Sequence, residues 1–382
     1  MKKNKSKGVS YKRIRFVGRF LAKTVVVIMR ALFRPLLGRS GKNSVIGVVS
    51  GDSANGDKPV PQANQQLHKT ESVWWRIGRG VLVRALVLPI LAAVAIGVVI
   101  YGSTHAERAR IRSFPDGMRL YYESVSFTSA DGVSLSGWFI PSLKAEDVAE
   151  QGDKVLRRQR PGVVLCHGLG SNRSQLLPLA GYLNSQGYEV LLFDFRGCGL
   201  SGGEIQSFGL CEREDVLAAV HYLADRANVD SSRMVVIGQD VGGAAALSAA
   251  ALDYSIKAVI VSDVDKDVKA GIERRLAGSG KLSQVATAGF MLGYKSYFNT
   301  DDREISLEQT AEHLSSNQAM LMIAQSNDEN LMASADSIAG HSRADTQVLA
   351  VKNSYPSPLL HVDKIGTTIN GFLYEVLGDI DR

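Results

Sequence analysis

The chain has 382 residues, enough for two domains or for one large domain with appendages, and a formal net charge of +6. That figure hides two opposed parts: 17 Lys/Arg stand against 3 Asp/Glu in residues 1–80, and 27 against 35 in residues 81–382. The imbalance points to a basic segment for an acidic surface joined to a mildly acidic globular domain, and the odd set Cys166, Cys198 and Cys211, without metal-ligand spacing, excludes a cysteine metal cage.

Residues 1–42 hold 13 Lys/Arg and no acid. Drawn as a helix, Lys12, Arg15, Arg19, Lys23, Arg30 and Arg34 share one stripe, while Phe16, Phe20, Val27, Ile28, Leu32 and Phe33 lie mostly off it. This is the pattern of a basic amphipathic helix lying on anionic lipid headgroups. A nucleic-acid-binding arm is the competing reading, and the high apolar fraction argues against it. Residues 43–73, rich in Gly, Ser, Asn and Gln with Pro59 and Pro61, read as a flexible linker.

Residues 74–103 are expected to anchor the chain. Within them Val81 to Tyr101 would reach ~31 Å as a helix, which matches the hydrocarbon core of a bilayer. Arg84 lies near one end, where it can snorkel, and Trp74, Trp75 and Tyr101 suit the interfaces. The segment begins too far into the chain and is too long for a cleaved signal peptide. The basic N-terminus favours a single span with the C-terminal domain outside the cytoplasm, although Arg108, Arg110 and Arg112 nearly balance the local count.

A globular domain is expected over residues 113–382. Val125–Phe127 and Val133–Leu135 alternate around Asp131-Gly132, a hairpin signal. Further strands are predicted at Gly162–Cys166, Val190–Asp194, Met234–Ile237, Lys257–Ser262, Ala319–Ala324 and Gln347–Val351, with a helix over Glu214–Ala224. Their alternation with helical stretches predicts an α/β fold, a mostly parallel sheet with helices on both faces. Cys166 and Cys198 sit in apolar or glycine-turn surroundings, and the cysteines read as buried free thiols.

Three motifs occupy the ends of these strands. Gly238-Gln239-Asp240-Val241-Gly242 lies between an apolar strand and a small-residue helix, the context of a G-x-S-x-G nucleophile elbow with aspartate at its tip. His167-Gly168-Leu169-Gly170 closes the first parallel strand, and Asp194-Phe195-Arg196-Gly197-Cys198-Gly199-Leu200-Ser201-Gly202 follows the next. In this order the motifs resemble the α/β-hydrolase superfamily, most closely its membrane-anchored serine esterases and peptidases. The resemblance implies an oxyanion hole from the N–H groups of Leu169 and Val241, and a structural part for His167 and the Asp194 loop. It also implies an orienting acid at Asp328, in the loop after Met320–Ala324.

The base stays open between two readings. His361 follows the final strand, where the superfamily carries its imidazole, yet Tyr355 fits that position better when counted back from the last helix. The chemistry of Asp240 is open as well. A carboxylate attacking an acyl carbon would form a reactive anhydride, whereas attack on an alkyl carbon or epoxide gives an ester that activated water can cleave. Haloalkane dehalogenases and epoxide hydrolases, on the same fold, work in that way; they place a tryptophan after the nucleophile, where this chain has Val241, and Tyr294 or Tyr297 would stand for their cap tyrosines. The expectation is therefore a degenerate hydrolase with a binding or scaffold role. The alternative is an active hydrolase with Asp240 as nucleophile, His361 as base and Asp328 as orienting acid, acting on an ester, epoxide or alkyl substrate. No cofactor, metal or nucleic acid is expected. Membrane lipids are the expected partner of the N-terminal region, and the small-molecule substrate or protein partner is left open.

Overall fold

The computed structural model describes residues 73–105, 107–142, 152, 158–276, 282–352 and 356–380. The expected basic segment, residues 43–72 of the expected linker and Tyr355 lie outside the described residues, and Val73 already belongs to the first helix.

The first described element, helix α1 (Val73–Thr104), contains Pro89 and has no acidic residue in its first turn. Its stretch Val81–Thr104 is long and apolar enough to cross a membrane by length and composition. Most of its side chains are exposed, including Leu82, Leu86, Ile90 and Val94.

Strands β1 (Glu123–Thr128) and β2 (Ser134–Ile140) form the expected hairpin, with Gly132 at φ 87° in the turn. The parallel part follows with β3 (Arg160–Cys166), β4 (Glu189–Asp194), β5 (Val229–Gln239), β6 (Ile256–Ser262), β7 (Ala319–Gln325) and β8 (Asp345–Val351). Among the described residues they make one eight-stranded sheet of order β1-β2-β4-β3-β5-β6-β7-β8, antiparallel through β2–β4 and parallel from β4 to β8.

Residues on the central strands are buried on both faces, which is why they read as continuous apolar runs rather than alternating ones. Val164 and Cys166 of β3 face a core shared with Val216 and Val220 of α3 (Glu212–Ala224) and Leu247 of α4 (Val241–Leu252). Val163 and Leu165 face the opposite core, with Leu179 and Leu183 of α2 (Leu177–Ser185) and Ile365 and Ile369 of α9 (Val362–Leu377). Between β6 and β7 the chain leaves the sheet to form α5 (Val268–Arg275), α6 (Leu282–Phe298) and α7 (Leu307–Ala311), and α8 (Glu329–His341) then leads to β8. Helices α5 and α6 build a third, smaller core over the end of the sheet: Ile272, Phe290, Met291 and Tyr294 meet Phe208, Val241 and Ile305. Ile100 of α1 belongs to this cluster, so the apolar helix is packed into the cap.

The cysteine reading needs one correction. All three are free thiols, but Cys211 is half-buried, because it lies at the N-terminus of α3 rather than under the sheet.

Candidate active site

The elbow is formed at the junction of β5 and α4. Asp240 adopts φ 52° and ψ −123°, a conformation that L-residues rarely hold and that lifts the side chain out of the strand–helix turn. The flanking glycines are required by close backbone approach. A Cβ on Gly238 would overlap the carbonyl oxygen of Gly242, and one on Gly242 would overlap the carbonyl oxygens of His167 and Cys166. The loop after β3 is thereby packed directly against the first turn of α4.

This contact brings the oxyanion-hole candidates beside the elbow. Leu169 N–H donates to Asp240 Oδ2 at 3.4 Å. Val241 opens α4, so its N–H belongs to the helix's first donors, which have no intrahelical acceptor. The positive end of the helix dipole at this point favours the carboxylate.

His167 and the Asp194 loop have the structural parts expected of them. Phe195 N–H donates to His167 Nε2 at 3.2 Å, so the ring proton sits on Nδ1, which donates to Gly168 O at 2.8 Å. Burial holds its pKa below the usual histidine value. Asp194 accepts from Arg173 N–H at 2.7 Å and from Leu200 N–H at 2.8 Å, and Arg173 Nη2 lies 2.9 Å from its Oδ2. Arg196 is fixed between Asp215 and Asp131, with contacts of 2.7 and 2.6 Å. Every one of these groups is tied into the scaffold by hydrogen bonds or ion pairs.

The side chains that reach Asp240 come from α5. Arg275 Nη2 donates to Asp240 Oδ1 at 2.7 Å, and Arg274 Nη2 lies 4.0 Å from the same oxygen. Asp267 caps α5 by accepting from Ala270 N–H at 2.6 Å, which fixes the helix start. Asp265 braces the two arginines, at 2.8 and 2.7 Å from Arg274 and 3.8 Å from Arg275. The hydrogen bond to Asp265 raises the pKa of Arg274 most; burial opposes it, and the charges of Asp265, Asp240 and Asp328 add to it. Arg274 thus sits in the field of both Asp240 and Asp328.

Asp328 is found directly after β7, as the resemblance implies, and it serves as the N-cap of α8. Its Oδ1 accepts from Asn330 N–H at 3.1 Å and Leu331 N–H at 3.2 Å. His361 stands at the N-terminus of α9, after the short turn Pro358–Leu360. The cleft at Asp240 is lined by Phe208, Val241, Val268, Arg275, Ile305 and Leu307, among others, and neither Asp328 nor His361 is part of its lining. Tyr294 and Tyr297 do not act as cap donors toward Asp240. The buried Tyr294 hydroxyl donates to Ser207 O at 2.6 Å, and Tyr297 is exposed.

Asp263, which the sequence did not single out, lies beyond the end of β6 at φ 54°. Its carboxylate accepts from Gln325 N–H at 3.3 Å and Gln325 Nε2 at 3.2 Å, and burial pushes its pKa up to about 6. The arginine pair was missed too. Arg274-Arg275 ends a short, basic, exposed-looking helix, and no motif marks it; only the return of that helix over the elbow gives it a partner. Among the described residues there is no group of three or more His, Cys, Asp or Glu arranged to hold a metal ion.

A family profile described as serine aminopeptidase, S33, matches residues 157–271, from before β3 to within α5. The chain is 31% identical over 169 residues to the uncharacterized protein YfhR of Escherichia coli K12, covering 44% of this chain and 56% of that protein. It is also 31% identical over 176 residues to an uncharacterized protein of Mycobacterium tuberculosis, with 44% and 57% covered. The matched stretch thus spans little more than half the length of these relatives. Among solved structures, an esterase of Pyrococcus furiosus superposes with a TM-score of 0.53 at 20% identity, over 72% of this chain and 98% of that one. Together with the mostly parallel sheet, these similarities give the chain the α/β-hydrolase fold.

Proposed function

We propose that this α/β-hydrolase-fold protein is a membrane-anchored, catalytically degenerate hydrolase whose former active site now serves binding or scaffolding. The observation that carries the reading is the pairing of Asp240 Oδ1 with Arg275 at 2.7 Å. A guanidinium on the attacking oxygen withdraws its lone pair and blocks approach of an electrophilic carbon, and among the described residues no histidine is in the lining of the cleft at Asp240. The membrane part of the proposal is supported by the length and apolar character of Val81–Thr104. With 13 basic residues in the first 42, the domain is expected on the far side from the cytoplasm.

One contact favours the second reading, an active hydrolase using Asp240. An ester formed at Oδ1 would leave Oδ2 as the acyl oxygen, and Oδ2 lies at Leu169 N–H, where an oxyanion formed by attacking water would be held. In that reading Arg275 has to swing away on substrate binding, His361 supplies the base and Asp328 orients it.

The test is an assay of the wild-type chain, Asp240→Asn, Asp240→Ser and His361→Ala on short-chain nitrophenyl esters, with mass spectrometry after exposure to a terminal epoxide and a bromoalkane. The degenerate reading expects no turnover above the Asp240→Asn background and no adduct on Asp240. It also expects Asp240→Ser to stay a poor esterase, because general-base help is worth roughly 10²–10⁴-fold. A covalent adduct on Asp240 that accumulates in His361→Ala would establish the active reading instead.

A further inference from the structure

Helix α6 has two faces of different character. Its inner face, with Phe290, Met291 and Tyr294, is buried over Val241 and Phe208 beside the elbow. Its outer face exposes Val285 and Leu292, at 71% and 72% of their full surface. From Leu282 to Tyr294 the helix has no charged residue at all. A helix face bathed in water ordinarily carries charge, and here charge appears only at the C-terminal end with Lys295.

The neighbour of that face explains the composition. Gly289 and Gly293 form a small-xxx-small groove on α6, and Ile96 and Ile100 of α1 lie in it. A methyl group added to Gly289 would come 3.2 Å from Ile96 Cδ1; one added to Gly293 would come 2.9 Å from Ile96 Cγ2 and would overlap Ile100 Cδ1. Such grooves let helices approach closely where no water is present to drive association. The contact climbs both helices in the same sense, Gly289 against Ile96 and Gly293 against Ile100. The first turns of α6, which carry Val285, therefore extend back along α1 toward the middle of its apolar stretch Val81–Thr104. At the other end, beyond Ile100 and Gly293, Tyr101 on α1 and Tyr297 on α6 are both exposed, and exposed aromatic side chains of this kind mark membrane interfaces.

We infer that α6 is a second membrane-embedded element, its outer face sunk among the acyl chains beside α1. This holds the elbow face of the domain against the bilayer. The inference rests on the membrane reading of α1, and the occupant of the face is lipid rather than a second copy of the chain.

Spin labels on the full-length protein test it in vesicles of phosphatidylcholine and phosphatidylglycerol. Single labels go on Val285→Cys and Leu292→Cys in a Cys211→Ser background, since Cys166 and Cys198 are buried. Val94→Cys on α1 and Tyr374→Cys on α9 serve as references, both being exposed. Collision with dissolved oxygen is compared with collision with a water-soluble nickel chelate. Labels at 285 and 292 are expected to match 94, favouring oxygen several-fold, while 374 favours the chelate. If 94 favours oxygen and both α6 labels favour the chelate, the inference fails and the anchor stands. If 94 also favours the chelate, the anchor reading fails and the inference with it. Spectral broadening at 285 that disappears on dilution with unlabelled protein would show a second copy on the face and overturn the inference.

Discussion

The pairing of Asp240 with Arg275 can be weighed by a double-mutant cycle using Asp240→Asn and Arg275→Met. At 2.7 Å two unit charges attract by roughly 6 kcal/mol at an effective permittivity of ~20 and by about 1.5 kcal/mol in bulk water. The two side chains are 29% and 28% exposed, so solvent screening and lost desolvation remove most of the larger figure. Fully exposed pairs couple by about 0–1 kcal/mol. A direct hydrogen bond, the N-terminal end of α4 and the second guanidinium of Arg274 place this pair above that range, at roughly 1–2 kcal/mol. The singles should not cost the same. Arg275→Met leaves Asp240 near Arg274 at 4.0 Å, whereas Asp240→Asn leaves Arg275 with Asp265 at 3.8 Å and an amide that can still accept. Asp240→Asn is therefore the milder change. Thermal and urea unfolding of all four forms in one detergent, followed by tryptophan fluorescence, gives the coupling. A coupling within about 0.3 kcal/mol of zero, with Asp240→Asn more stable than wild type, would refute the counter-ion argument. It would mark Asp240 as a strained residue kept for function.

Three further outcomes follow from the same geometry. Gly242→Ala should lose about 3 kcal/mol or more, read as failure to give a cooperative melt, because the added carbon meets backbone carbonyls that cannot move aside; Gly340→Ala in α8, with open space around it, should be near neutral. Asp263, raised from 3.8 to about 6, binds its proton more tightly folded than unfolded, so its destabilising effect grows as pH rises from about 4 to 6 and is fully present above that. Relative to wild type, Asp263→Asn should gain stability over that window, by at most roughly 3 kcal/mol, and melting curves with a pH-independent difference would refute it. A variant lacking residues 74–95, which keeps Ile96 and Ile100 in the α6 groove, should be released from membranes by carbonate; continued pelleting after a carbonate and high-salt wash would show that residues 74–95 are not needed to hold the protein in the membrane.

The sheet was legible because its strands are local apolar runs bounded by glycine turns, and each of Gly162–Cys166, Val190–Asp194 and Ala319–Ala324 lies within a strand of the structure. The elbow was legible for a related reason. Gly238 and Gly242 are dictated by backbone overlap within one turn, so their spacing survives in the sequence as a pattern. Asp328 was placed after its strand by the resemblance rather than by its own local pattern, and nothing local shows that it caps α8.

What faces Asp240 could not be read in this way. Arg275 is 35 residues along the chain, on a helix whose own sequence specifies only a basic surface, and its partner is chosen by the way α5 folds back over the elbow. Likewise no local pattern marks Gly289 and Gly293, whose lack of a side chain matters only where Ile96 and Ile100 of α1 lie against them. Periodicity and turn chemistry act over a few residues and are written into the chain. A charge pair or a helix groove acts between segments far apart in sequence, and the packing that brings them together exists only in the tertiary fold.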